Sequence, residues 1–297
     1  MSVHPAADRI ENDTVAKITH FTLREKKERG EPITALTAYD YPSARLIDEA
    51  GIDLILVGDS VAMAVLGYDS TLPLTMDEMM HHARAVRRAV KRALLVVDMP
   101  YGSYHVSDEE AVRNAIRFVQ QAGAEAVKLE GGAGRAALVE RLTRAEVQVV
   151  GHIGLTPQSV NQMGGYRVQG RSVAAIAQLL HDAAALEAAG AVALVLEGVP
   201  REVAARITAS VGIPTIGIGA GPDCDGQILV FHDLFRLGFG TAAKFVRPFG
   251  DAGAVLRDGL EHYREAVEAR TFPNDRESYH LAASVRVEFE STELQTI

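Results

Sequence analysis

Short apolar runs, many of them β-branched, alternate with stretches of helical spacing along most of the chain. The runs are ITALTAYD from Ile33, DLILVGDS from Asp53, ALLVVDMP from Ala93 and AVKLEGG from Ala126. They continue with VQVVGHIG from Val147, VALVLEGVP from Val192, PTIGIGAG from Pro214 and AAKFVRPF from Ala242. Each has the length of a strand, and near-continuous hydrophobicity suits strands buried on both faces of a parallel sheet. The helical stretches carry their own end signals. TMDEMMHHARAVRRAVKRA opens with Thr75 and Glu78 at capping-box spacing, and SDEEAVRNAIRFVQQAG repeats that spacing with Ser107 and Glu110 before stopping at Gly123. SVAAIAQLLHDAAALEAAG stops at Gly190, and PREVAARITASVG starts at Pro200, well placed for a first helical turn. Eight strands alternating with helices predict an α/β fold, a (β/α)8 TIM barrel. A doubly wound open sheet is the alternative, because strand closure leaves no mark in sequence. No composition shift divides the chain, so one barrel domain is expected over residues 14–270. A helix at about 14–29 would cap the barrel bottom, a polar segment (1–13) precedes it, and a C-terminal extension (271–297) follows.

The interruptions of the apolar runs carry the chemistry. In AVKLEGG, Lys128 and Glu130 are two apart and share one face of the strand. They either neutralise each other there or serve a ligand, and a buried pair with no other purpose seldom gains net stability. The other runs end alike: Asp40, Asp59 with Ser60, Asp98, His152 and Glu197 each follow several apolar residues. A single acid at such a place most often caps the next helix. Six strands ending this way suggest one mouth, since the C-terminal ends of barrel strands converge where active sites lie. Crowded carboxylates repel each other unless a cation joins them. Asp59, Asp98 and Glu130 offer hard oxygen ligands, which favours Mg²⁺, with Mn²⁺ tolerated and zinc disfavoured. A metal that keeps open positions suggests a chelating substrate whose negative end Lys128 would hold. Glu197 stands apart as a general base or as a structural acid. His152 is equally an oxyanion donor or a core histidine. The glycines from Gly217 to Gly221 lack the dinucleotide-binding spacing and are expected to allow close approach of neighbouring groups. The long loop from Gly154 to Arg171 has the character of a binding loop or lid.

Charge and cysteine content narrow the partners. The net charge is -9 and is spread along the chain, which argues against a nucleic-acid or anionic-membrane surface. The basic helix around Arg84, Arg88 and Lys91 is expected to be a solvated face. The N-terminus lacks the apolar core of a signal peptide, and no apolar run is long enough to span a bilayer. Cys224 is the single cysteine, which fits a cytoplasmic location.

Several segments together resemble the ketopantoate hydroxymethyltransferase family. They are LTAYDYPSARLIDEAGIDLILVGDS, TLPLTMDEM, VVDMPYGSY, AVKLEGG, GHIGLTPQSVNQMGGYRVQGR, LVLEGVP and TIGIGAGPDCDGQILVFHDLFRLG. The resemblance implies a barrel enzyme that moves a one-carbon unit from 5,10-methylenetetrahydrofolate, its co-substrate, to 3-methyl-2-oxobutanoate. It implies Mg²⁺ as cofactor, held by Asp59, Asp98 and Glu130. Asp59, Ser60, Asp98 and Lys128 would contact the keto acid, Lys128 at its carboxylate. Glu197 would be the proton acceptor. Large homo-oligomers, commonly decamers, are implied as well, while the tail SVRVEFESTELQTI has no match. The residues that hold the folate are not marked, and the loop from Gly154 to Arg171 is the expected part of that surface. Two other classes compete. A Mg²⁺-dependent enzyme of the isocitrate lyase and phosphoenolpyruvate mutase type would act on another 2-oxo acid, and its lyases would need Cys224 as catalyst. A non-catalytic scaffold would need neither clustered acids nor a metal.

Overall fold

Seven of the apolar runs and one short segment between the last two close into a parallel barrel of eight strands, with the first hydrogen-bonded to the last. The computed structural model describes residues 16–291. Its first half runs α1 (His20–Arg29), β1 (Ile33–Thr37), α2 (Tyr41–Glu49), β2 (Leu54–Val57), α3 (Val61–Ala64), α4 (Met76–Ala89), β3 (Leu94–Asp98), α5 (Asp108–Ala122) and β4 (Ala126–Glu130). The second half runs α6 (Ala136–Arg144), β5 (Val149–Gly154), α7 (Val160–Met163), α8 (Val173–Ala188), β6 (Ala193–Glu197), α9 (Arg201–Ser210) and β7 (Thr215–Ile218). Then come β8 (Gly226–Leu229), α10 (Phe231–Leu234), α11 (Ala252–Glu268) and α12 (Ala283–Ser291). No helix among the described residues is long and apolar enough to cross a membrane.

The caps form as the sequence suggests. Thr75 and Glu78 make a reciprocal box, Ser107 accepts the amide of Glu110, and Gly123 ends α5 in the left-handed conformation. Period-two alternation splits each strand between two cores. Ile55, Val57, Leu95, Val97, Val127 and Leu129 point outward and pack under the helices. Leu54, Leu56, Leu94, Val96, Ala126, Val150 and Ala193 fill the barrel, and Ile18 and Leu23 join that inner core from below. Each such leucine contributes roughly 2 kcal/mol through burial.

Helix α1 therefore caps the bottom. It begins at His20, with Thr19 as its cap, and ends at Gly30. The expected polar segment 1–13, the first residues of the expected helix and the chain's last six residues lie outside the described part.

Two expectations change. The eighth strand is Gly226–Leu229 and not the run from Ala242, whose residues Ala242–Phe245 are exposed. No helix separates β7 from β8, so the last strand follows directly on the glycine loop. The first strand ends at Thr37, so Asp40 does not end a strand: it caps α2, accepting the amide of Ser43 at 2.8 Å.

Candidate active site

The face shared by Lys128 and Glu130 is the barrel interior. They follow Ala126, an inner-core residue, at two-residue steps. Asp98 follows Leu94 and Val96 on β3 in the same way, His152 follows Val150 on β5, and Glu197 follows Ala193 and Val195 on β6. Strand register sets their neighbours: Asp98 lies opposite Lys128, Glu130 opposite His152, and Gly154 opposite Glu197. Gly154 has a φ of +94°, and a Cβ there would collide with the Glu197 carbonyl, so glycine lets β5 and β6 meet at the mouth.

Lys128 Nζ sits 3.0 Å from Asp98 Oδ1, an ion pair whose geometry falls short of a hydrogen bond. The other oxygen, Asp98 Oδ2, accepts the amide of Asp59 at 2.9 Å. Ser60 bonds the Tyr39 hydroxyl at 2.8 Å. His152 Nδ1 is 3.4 Å from Glu130 and 3.2 Å from Lys128, while Nε2 is 3.3 Å from Glu197. One Nδ1 proton cannot serve both neighbours. As imidazolium the ring would pair by charge with the two glutamates, neither contact reaching hydrogen-bond geometry; as the Nε2–H tautomer it accepts from Lys128.

Burial is the main electrostatic force in the cluster. With Asp98 and Glu130 nearby, it pushes Asp59 up to about 8. It raises Asp98 too, although Lys128 pulls the other way. Burial alone would also raise Glu130, but His152 and Lys128 hold it below its ordinary value. Burial and Lys128 would lower His152, but Glu130 and Glu197 outweigh them and push it up to about 9. Lys128 is raised despite its burial, because Asp98, Glu130 and Asp59 surround it.

Two residues escaped sequence reasoning. Gln158 Nε2 donates to Asp59 Oδ2 at 2.8 Å and to the Met99 carbonyl at 3.0 Å, while its backbone amide donates to Glu130 at 2.9 Å. Tyr104 donates to Gln158 Oε1 at 2.6 Å and accepts the amide of Glu130. The pair fixes which oxygens of Asp59 and Glu130 are engaged. Both occur in the segments quoted above, but a neutral amide and a tyrosine give no charge signal.

Asp59, Ser60, Asp98, Lys128, His152 and Glu197 line one cavity of about 240 Å³. Leu56, Val195, Ile218 and Ile228 form its apolar wall. Glu130 does not line the cavity. Among the described residues no three acidic, histidine or cysteine side chains are drawn together tightly enough to hold a cation unaided. The donor set still suits a hard cation: Asp98 Oδ1 and Glu130 Oε1 are buried carboxylate oxygens that accept no hydrogen bond. Mg²⁺ is commonly held by one or two carboxylates, with water and substrate filling the rest. Cys224 lies elsewhere, beside Asp225 at the start of β8, where burial raises its thiol. The expected close approach at the glycine loop is real, since a Cβ on Gly219 would strike the Phe245 ring.

The model of the ketopantoate hydroxymethyltransferase family matches residues 17–275. The chain belongs to that family. It is 61% identical over 278 residues to 3-methyl-2-oxobutanoate hydroxymethyltransferase of Koribacter versatilis (strain Ellin345), covering 94% of each chain. To the enzyme of the same name from Thermoanaerobacter sp. (strain X514) it is 51% identical, over 89% of this chain and 97% of the relative. Among solved structures it is similar to 2,3-dimethylmalate lyase, a member of the phosphoenolpyruvate mutase/isocitrate lyase superfamily, with TM-score 0.55 and 16% identity over 92% of this chain and 99% of that one. A phosphonopyruvate hydrolase complexed with oxalate and Mg²⁺ is similar at TM-score 0.54 and 16% identity, over 92% and 95% of the two chains. At such identity these structures establish the barrel fold alone.

Proposed function

We propose that the barrel transfers a hydroxymethyl unit from 5,10-methylenetetrahydrofolate to 3-methyl-2-oxobutanoate, giving 2-dehydropantoate and tetrahydrofolate, the first committed step of pantothenate synthesis. The observation that carries the reading is the pairing of Lys128 with buried acids on one side of a small cavity and Glu197 on another. Lys128 takes the substrate carboxylate. Leu56, Val195, Ile218 and Ile228 face its branched alkyl end. Asp59 and Asp98 would hold Mg²⁺, with Glu130, expected as the third ligand, adding negative charge beside them; the ion would supply Lewis-acid polarisation of the 2-oxo group. Ser60, fixed by Tyr39, contacts the same substrate. Glu197 removes the C3 proton and the C3 carbon bonds to the methylene carbon. That carbon leaves both folate nitrogens and takes its hydroxyl from water, and the two nitrogens receive the C3 proton and the remaining water proton. His152 Nε2 faces Glu197 at 3.3 Å, an ion-pair distance short of hydrogen-bond geometry.

The protein works in the cytoplasm as a homo-oligomer, a decamer by the family resemblance. Support comes from α11, none of whose residues is buried, and which exposes Val255, Leu256, Leu260 and Tyr263. The lyase alternative loses its catalyst, because Cys224 does not line the cavity.

Product formation followed by NMR tests the reading. Protein, keto acid and folate donor with Mg²⁺ should give ketopantoate, and EDTA should stop it. No product with Mg²⁺ present would transfer the cavity to another 2-oxo acid.

A further inference from the structure

The rim of the cavity carries one more carboxylate. Asp233 belongs to α10, the single turn after β8. The Thr37 hydroxyl at the top of β1 accepts the amide of Phe231 at 3.0 Å, which anchors that turn over the mouth. His232 is turned toward Tyr39, their ring centroids 5.5 Å apart, and Asp233 lines the cavity. Tyr166, Phe245 and Met63 stand on the same rim, each partly exposed to solvent.

The other carboxylates of the cavity are engaged. Asp59 accepts from Gln158, Asp98 faces Lys128 and the Asp59 amide, and Glu197 faces His152. The Asp233 carboxylate alone among them has neither a hydrogen bond nor an ion pair. Half-buried, this carboxylate is held by water alone, and a ligand that brings two donors can take the place of that water.

A reduced pterin is such a ligand. Its N3–H and 2-amino group present two parallel donors along one edge of a flat ring. A carboxylate accepts two parallel hydrogen bonds in that geometry. We propose that Asp233 binds the donor edge of the pterin of the folate co-substrate, with Phe245 and Tyr166 against the ring. This rests on the folate-dependent reaction proposed above. The cavity, at about 240 Å³, is smaller than the ~300–1,000 Å³ that encloses a whole drug-sized ligand. The pterin edge therefore enters at the rim above the keto acid, and the rest of the folate stays outside. Tyr166 supplies the contribution expected of the loop from Gly154 to Arg171.

The test uses the Mg²⁺-loaded protein with Asp233→Asn and Asp233→Ala. Two quantities are measured: the KM for each substrate, and exchange of the C3 hydrogen of the keto acid with D₂O without folate. The KM for 5,10-methylenetetrahydrofolate should rise roughly tenfold or more, as expected for loss of charge-assisted hydrogen bonds. The KM for the keto acid and the exchange rate should stay near wild type. For a tetrahydrofolate analogue lacking the 2-amino group, which keeps N3–H alone, the loss of affinity caused by Asp233→Asn should be smaller than for tetrahydrofolate itself. A folate KM within twofold of wild type overturns the proposal, and so does an exchange rate that falls in parallel, since that marks a structural role for α10. Wild-type protein that catalyses exchange yet makes no product with folate removes the folate reading itself, by a separate signal.

Discussion

The two ends of the barrel handle buried acids in opposite ways. At the bottom, Asp53 accepts from Lys26 at 2.6 Å, from Arg92 at 3.2 Å and from the amide and hydroxyl of Thr34 at 3.0 Å. Asp225 repeats the arrangement with Lys27 at 2.8 Å and the amide and hydroxyl of Thr215. Helix α1 supplies both lysines. At the top, Asp59, Asp98 and Glu130 crowd around Lys128, and two of their oxygens accept nothing. The same residue type thus ties the fold together at one end and stores electrostatic repulsion at the other. Barrels hold stability at the N-terminal face of the strands and chemistry at the C-terminal face, and here the partners of each acid tell the faces apart.

Glu197→Gln should give the largest effect at the top. The amide keeps the size of the side chain but cannot take the C3 proton, so kcat should fall by about 10²–10⁴. Keto-acid affinity by calorimetry should change little. Turnover within a few-fold of wild type would remove Glu197 as the base. A smaller effect is expected below, in stability rather than rate. Lys26→Met leaves Asp53 with Arg92 and Thr34, so unfolding in urea should lose about 2 kcal/mol, less than a buried acid stripped of every partner would cost. Its kcat should match wild type. A stable Lys26→Met with impaired turnover would erase the division between the ends.

The upper half of this division was legible beforehand, while the paired acids at the bottom, Asp53 and Asp225, gave no sign in sequence. Strand-end acids stand out because a charge after several apolar residues has few explanations, and the two-residue step from Lys128 to Glu130 placed both inside the barrel. Asp40 misled because a strand-end acid and a helix cap share one sequence sign, and Thr37 already ends β1. The eighth strand misled because GQIL is four residues long and follows glycines, whereas the run from Ala242 is apolar but exposed. Gln158 was invisible for another reason. It meets Asp59 across 99 positions of sequence, and only closure of the barrel brings them together. Asp233 lay within a quoted segment, but its lack of a partner is a property of the fold.

The smallest effect tests the electrostatics of both ends at once. Asp53 would be raised by burial, but Lys26 and Thr34 hold it below the usual value of 3.8. Its contribution to stability is therefore present above that pH and is lost as pH falls through the lowered pKa. Asp59 is the reverse. Its folded pKa of about 8 lies above the unfolded 3.8, so without metal its contribution is complete below pH 3.8 and is lost as pH rises through 8. Mg²⁺ requires the ionised carboxylate, so binding at pH 6 must displace a proton that is already gone at pH 9. At fixed Mg²⁺, the rise in Tm over the EDTA-treated protein should grow by a few degrees from pH 6 to pH 9. Calorimetry in buffers of different ionisation enthalpy should show proton release at the lower pH alone. A Tm gain that is flat with pH would mean that Asp59 is already ionised in the empty site, and that Lys128 neutralises the cluster as completely as Lys26 and Lys27 neutralise the acids below.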